Sequence, residues 1–157
     1  MNTTLDERLH QCIAQRPRML LRMMNLIKKD MENRLMEQLQ QRGYVDFKMG
    51  DMVLLANIAP EGIINNELAK KALITKQAMS KVVKNLEAAG YIETRKHESD
   101  NRAIMIFLSN KGKQLLIAAT ESVQEVEQYY AQLTGQQDSD HLKELLMKLV
   151  HKVYPDL

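Results

Sequence analysis

Hydrophobic and polar positions separate most sharply in the stretch that follows Thr75. At 100° per residue, residues 76–89 form a helix with one apolar side, made up of Met79, Val82, Val83, Leu86 and Ala89. The opposite side carries lysines and hydrogen-bonding side chains: Lys76, Gln77, Ser80, Lys81 and Lys84. Exposed helix faces usually mix charges of both signs, but here the first acidic residue, Glu87, comes only at the far end. The pattern therefore predicts an amphipathic helix whose N-terminal half contacts a polyanion, namely DNA.

Two strand-like runs follow this helix at once. Gly90 stands where a helix end favours a left-handed backbone, and residues 91–96 and 103–108 have the composition of short strands. The six polar residues between them, 97–102, are predicted to form the tip of a hairpin. Another short helix, beginning near Asn66, precedes the amphipathic one. A helix-turn-helix followed by a β-hairpin is a winged helix, in which a helix enters the major groove and the hairpin reaches over the DNA backbone.

The N-terminal third of the chain is predicted to be helical. A capping box at residues 4–7 opens a short helix that reaches about Ala14. Pro17 suits the first turn of a longer helix that runs to Gln41. A short apolar helix is then expected over residues 49–57.

The C-terminal third is predicted to consist of two helices. Ser109 caps the first, over roughly 110–133, and residues 135–138 form a loop. Ser139 caps the last helix. The expected fold is therefore mainly α (α+β): a winged helix-turn-helix with a β-hairpin wing, flanked by N- and C-terminal dimerisation helices.

Apolar seams along the flanking helices predict a second subunit. The seams consist of Leu20, Met24, Ile27, Met31, Leu35 and Leu39 near the N-terminus, and of Leu142, Leu146, Leu149 and Val153 near the C-terminus. One winged helix over 48–108 is too small to cover both apolar seams. We therefore interpret the chain as a single domain in which residues 1–43 and 109–157 form the dimerisation helices. A two-fold dimer would read a pseudo-palindrome with half-sites about 10 base pairs apart. The alternative is an intramolecular bundle that leaves the chain monomeric.

Charge is distributed unevenly along the 157 residues. The formal net charge is only +2, but residues 67–112 alone carry +4, whereas residues 113–157 carry −3. The positive excess therefore coincides with the predicted winged helix, where phosphate contact requires it. A hydrophobic content of 45% excludes a disordered chain. The sequence shows no apolar run near 18 residues and no secretory signal, so a cytoplasmic protein without a membrane partner is expected.

The winged-helix segment carries the following set of residues: Leu68-Ala69, Thr75, Gln77, Ser80, Val83, Leu86-Glu87, Gly90-Tyr91-Ile92, Arg95, Asp100-x-Arg102, Leu108-Ser109 and Gly112. This pattern resembles the multiple-antibiotic-resistance regulator (MarR) family of bacterial transcription factors. The Asp-x-Arg in the wing is the specific part of the pattern. The resemblance implies an obligate homodimer, usually a repressor, often relieved by small aromatic acids or phenols or by oxidants.

Individual roles follow from the same resemblance. Arg102 would enter the minor groove at the wing tip, where its guanidinium gains from concentrated negative potential. Asp100 would orient Arg102 or pair with Arg95. The side chains that would face the major groove and its phosphates are Thr75, Lys76, Gln77, Ser80, Lys81 and Lys84. Gln77 can pair bidentately with adenine, whereas lysines mostly position the protein without specifying sequence.

Other candidate chemistry is weaker. Cys12 is the only thiol and could sense oxidants, but a buried or incidental cysteine is favoured because no tyrosine lies in the long helix to assist it. The four histidines are scattered, so a metal site is not expected. Six methionines could line an adaptable effector pocket, although core packing is favoured for most of them: Met19, Met23, Met24, Met31, Met49 and Met52.

Catalysis is excluded as a class. The chain contains no glycine-rich phosphate loop, nucleophile elbow or clustered acid–base pair, and no cofactor is expected. The remaining alternative is a winged helix that serves as a protein-interaction adaptor or antirepressor without binding DNA. Such an adaptor should present apolar residues where this chain presents lysines.

Overall fold

The structure, a computed structural model, describes residues 4–72, 74–96 and 103–155, and of Lys76 only the backbone. The elements in chain order are α1 (Leu5–Gln15), a 3-10 turn (Arg16–Arg18), α2 (Leu20–Gln41), α3 (Met49–Leu55), β1 (Ile63–Ile64), α4 (Asn65–Lys71), α5 (Lys76–Ala88), β2 (Ile92–Lys96), β3 (Ile104–Leu108), α6 (Asn110–Thr134) and α7 (Gln136–Val153). The predicted fold class is confirmed. The hairpin tip predicted at 97–102, with Asp100 and Arg102, lies outside the described residues.

The N-terminal helices begin and end close to the predicted residues, with one correction. The capping box is present: the Thr4 hydroxyl accepts from the Glu7 N–H at 3.3 Å, and the Glu7 carboxylate accepts from the Thr4 N–H at 2.7 Å. Pro17 does not open the long helix, because it lies in the separate 3-10 turn. The backbone is extended at Met19, which caps α2 with φ −69° and ψ 126°.

A three-stranded antiparallel sheet in the order β1-β3-β2 forms the base of the wing. The β2–β3 pairing sets Ile92 opposite Leu108 and Lys96 opposite Ile104. The sequence did not predict β1, whose Ile63 pairs with Ile106 on the other edge of β3. Only two residues form β1, too few to show an alternating pattern.

The core lies within the winged helix and against the start of α6. Its fully buried side chains come from the end of α2, from α3, α4, α5, the sheet and α6, and include Leu54, Leu68, Leu86, Ile106 and Leu115. These positions hold α5 against the sheet by excluding apolar surface from water. The amphipathic helix predicted from the sequence, α5, is therefore held in place by its apolar face.

The C-terminal pair of helices corrects a second prediction. Gly135 alone separates α6 from α7, with φ +91°, so the loop predicted over 135–138 does not exist. Ser139 lies inside α7, where its N–H donates to the carbonyl of Gly135 at 3.1 Å. Among the residues that the structure describes, no helix is long and apolar enough to cross a bilayer.

The flanking helices leave most of their apolar surface exposed within the single chain. None of the described residues of α1 or α7 is buried. The seam of α2 divides in two: Leu39 is buried, whereas Leu20 and Ile27 are 60% and 50% exposed. Within the single chain, the described residues of α2 and α7 therefore do not form a bundle that covers both seams.

Candidate nucleic-acid interface

The amphipathic helix α5 has a defined start and end. The Thr75 hydroxyl accepts from the Ala78 N–H at 3.2 Å, so Thr75 caps the helix while remaining exposed. At the other end, Gly90 has φ +77°, in the left-handed region that the sequence predicted. The N–H of Tyr91 donates to the carbonyl of Leu86 at 2.9 Å and closes the last turn.

The two predicted faces of α5 are confirmed. Met79 and Leu86 are buried, and Val82, Val83 and Ala89 are partly buried. The polar side consists of exposed side chains: Gln77, Ser80, Lys81 and Lys84. Lys76 was also predicted on this side, but its side chain is not among those that the structure describes.

Two lysines with described side chains, Lys81 and Lys84, lie on this face. None of the ion pairs among the described residues uses Lys81 or Lys84. An exposed lysine without a carboxylate partner keeps its full charge available to an anion in solution. The exposed side of α5 is therefore electropositive over its first three turns.

Arg95 lies at the base of the wing. Its guanidinium is 3.2 Å from the carboxylate of Glu93 and 5.1 Å from the ring centroid of Phe107. Both groups of the ion pair are more than half exposed, so the pair contributes little to stability. Glu93 is a partner for Arg95 that the sequence did not predict, and the pairing of Arg95 with Asp100 remains a prediction.

A carboxylate on α5 contacts the wing directly. Oε1 of Glu87 accepts hydrogen bonds from both the backbone N–H and the hydroxyl of Thr94, at 3.2 and 2.5 Å. Because β2 is an edge strand, the outward N–H of Thr94 faces away from β3 and toward the helix. Sequence reasoning missed this contact, since a separation of seven residues across a turn has no periodic signature.

A second polar group anchors the far end of α5. The buried Tyr91 donates its phenolic hydrogen to Asp46, and Lys111 donates to the same carboxylate at 2.6 Å and to the carbonyl of Ala89 at 2.9 Å. The hydrogen bond from Lys111, followed by that from Tyr91, holds the pKa of Asp46 below its usual value. Burial and the bond to Asp46 raise the pKa of Tyr91. The loop after α2 is thus joined to the end of α5 and the start of α6.

A third polar cluster joins the long helices. Asp30 on α2 accepts from the Tyr130 hydroxyl on α6 and from Nε of Arg34 at 2.7 Å. The hydrogen bond from Tyr130 is the main cause that lowers the pKa of Asp30. The Arg34 guanidinium also lies 3.9 Å from the ring centroid of Tyr129. Tyr129 and Tyr130 therefore both contact residues of α2 within the same chain.

The weaker candidates from the sequence were a cysteine, several methionines and a metal site. Cys12 is exposed on α1, so it is not a buried thiol. Of the methionines, Met52 is buried, whereas Met19, Met23 and Met24 are 43–47% exposed, so the core prediction is wrong for these three within the single chain. No group of three potential metal ligands occurs among the described residues.

Comparison with known proteins identifies the winged helix. Residues 51–103 match the family model described as MarR family. Residues 51–103 are thus similar to the MarR family. The matched segment includes most of α3 together with β1, α4, α5, β2 and the predicted wing tip, so the expected resemblance to MarR proteins is confirmed.

Solved structures extend the likeness to the MarR fold along most of the chain. MarR itself has a TM-score of 0.74 at 16% identity, over 86% of this chain and 98% of that one. CouR, a transcriptional repressor bound to a 23-mer DNA duplex, has a TM-score of 0.74 at 19% identity, over 87% and 95%. The S. aureus MepR–DNA complex has a TM-score of 0.69 at 22% identity, over 85% and 98%. No curated protein sequence matches this chain significantly. This chain therefore shares the fold of these solved structures.

Proposed function

We propose that this protein is a homodimeric regulator that binds duplex DNA at a pseudo-palindromic operator. The observation that carries the proposal is the exposed polar face of α5, with Lys81 and Lys84 outside the described ion pairs. Such a face is costly to desolvate against an apolar partner. When it contacts DNA phosphates, by contrast, it releases the counterions that were condensed on the DNA. This argues against the adaptor, which would need an apolar face here.

On this proposal, the helix and the wing have different roles. Gln77 and Ser80, near the N-terminus of α5, reach base edges in the major groove. The lysines at 76, 81 and 84 and Arg95 contact phosphates, and Thr75 adds a hydroxyl at the start of the helix. Arg102 enters the adjacent minor groove, oriented by Asp100.

The proposed dimer rests on the exposed apolar surface of the flanking helices. On α7, Leu142 and Leu149 are 56% and 53% exposed, and on α2 Leu21 is 73% exposed. A monomer rarely leaves this much contiguous apolar surface in water, and a second copy of the same helices is its simplest complement. A two-fold axis between these helices would present two α5 helices to successive major grooves.

Repression is the output we propose, because a dimer bound across a promoter excludes polymerase without any further contact surface. The MarR proteins that this sequence resembles are often released from DNA by small aromatic acids or phenols. We propose an effector of this class for this protein. The exposed methionines on the first turns of α2 are adaptable enough to help bind it once a second subunit covers them.

The proposal is tested by selecting DNA from the source genome. The full-length protein is incubated with fragmented genomic DNA at physiological salt, and the retained fragments are sequenced. We expect enrichment of a pseudo-palindromic site. A Lys81→Ala/Lys84→Ala variant should lose the enrichment, whereas Lys148→Ala/Lys152→Ala, which removes two exposed lysines from α7, should keep it. Retention of bulk DNA without a preferred site, or of none, would contradict the proposal and favour the adaptor.

A further inference from the structure

Glu87 is the only acidic residue of α5. A carboxylate on a helix that approaches a polyanion is repelled by it, and a carboxylate in the last turn is also disfavoured by the helix dipole. Among the described residues no cation offsets these costs, since none of their ion pairs includes Glu87. The side chain must therefore be favoured by some other contact.

That contact is the edge of the wing. One oxygen of Glu87 accepts both the N–H and the hydroxyl of Thr94, at 3.2 and 2.5 Å. Thr94 is the middle residue of β2, which continues to Lys96 and leads into the hairpin. A fixed point in the middle of β2 restrains the direction in which the strand runs to Lys96.

We propose that Glu87 is a positioning residue that sets the angle between the wing and the recognition helix. This inference rests on the proposed function. If α5 lies in the major groove and the wing lies over the adjacent minor groove, the angle between them decides whether both fit one duplex. Glu87 then contributes to binding without touching DNA, because preorganisation lowers the entropy lost when the wing docks.

Two substitutions separate the charge of Glu87 from its geometry. Glu87→Gln keeps an acceptor for Thr94 and removes the charge, whereas Glu87→Ala removes both. If Glu87 positions the wing, the Gln variant binds operator DNA at least as tightly as wild type, and the Ala variant binds on the order of tenfold more weakly, the equivalent of one lost hydrogen bond. If Glu87 is only a repelled charge, both variants bind more tightly, and the inference is overturned.

Combining Glu87→Ala with a substitution in the wing tests whether Glu87 affects DNA binding by way of the wing. In an Arg102→Ala protein, whose wing has lost its proposed groove contact, Glu87→Ala should cause little additional loss. An undiminished loss there would overturn the inference, since the side chain would then act elsewhere. Thr94→Val, which removes the hydroxyl donor, should reproduce part of the effect and serves as the test if the Ala variant fails to fold. Failure of wild type to bind any operator would instead contradict the proposed function.

Discussion

The ammonium group of Lys111 lies 2.6 Å from the carboxylate of Asp46, although 65 positions separate the two residues in the chain. Tyr91 donates to the same carboxylate. Asp46, in the loop after α2, therefore binds both Tyr91, just before β2, and Lys111, in the first turn of α6. This links the helices proposed for dimerisation to the end of the recognition helix.

The first prediction concerns acid sensitivity. The pKa of Asp46 is lowered, so its ionised form stabilises the folded protein at neutral pH. That contribution is present above the unfolded value of about 3.9 and is lost as the pH falls through the lower folded value. Asp46→Asn should therefore be less stable than wild type at pH 7, and the difference should shrink below about pH 4. Urea unfolding across this pH range measures the difference in free energy of unfolding between the two proteins. A difference that does not depend on pH would contradict a stabilising role for the ionised carboxylate of Asp46.

A second prediction concerns Gly112. A Cβ added there would lie 2.1 Å from the backbone carbonyl oxygen of Tyr91, which the sheet and α5 hold in place. Gly112→Ala should therefore lower the free energy of unfolding by about 1–3 kcal/mol, the usual cost of overpacking. Gly50→Ala is the matched control, because its added Cβ would meet no described atom within 4 Å apart from its chain neighbours and the backbone of its own helix. Gly50→Ala should be neutral or stabilising, and equal destabilisation by both would refute the steric argument.

The sequence predicted α5 well because its pattern is long and its ends are marked. Thirteen residues give more than three turns of apolar periodicity, Thr75 supplies a cap and Gly90 a left-handed turn. The start of α7 was predicted wrongly because Ser139 resembles a cap. The preceding polar residues form a helical turn all the same, with Asp138 favoured near the N-terminus of the helix.

The polar contacts of the candidate site could not be predicted in the same way. The contacts of Asp46 with Tyr91 and Lys111 join residues that only the folded chain brings together, and no local spacing encodes them. The seam residues of α2 were recognised as apolar, but the sequence could not show which of them pack against α6 and which remain exposed. The roles of Asp100 and Arg102 remain predictions.

A third prediction tests the dimer. Leu142→Lys/Leu149→Lys places two charges on the exposed apolar side of α7, where they cost a single chain little. The double variant should therefore sediment as a monomer at concentrations where wild type is a dimer. Gln137→Lys/His141→Lys adds the same two charges to other exposed positions of α7 and should stay dimeric. A wild-type protein that sediments as a monomer throughout would contradict the dimer.

A fourth prediction concerns salt. If Lys81 contacts a phosphate, Lys81→Ala should weaken binding to different duplexes about equally, and it should reduce the slope of log affinity against log salt by about one. Fluorescence anisotropy at several salt concentrations gives this slope. Lys152→Ala, on α7, should leave the slope unchanged. A loss of affinity with an unchanged slope would assign Lys81 a structural role instead.

The most direct test of the central claim is hydroxyl-radical cleavage of the selected operator with the protein bound. Two symmetric protected segments, with centres about 10 base pairs apart, are expected from two recognition helices on one face of the duplex. Both segments should disappear together with the Lys81→Ala/Lys84→Ala variant. Protection of a single half-site, or a pattern that this variant leaves intact, would contradict a dimer that reads DNA through α5.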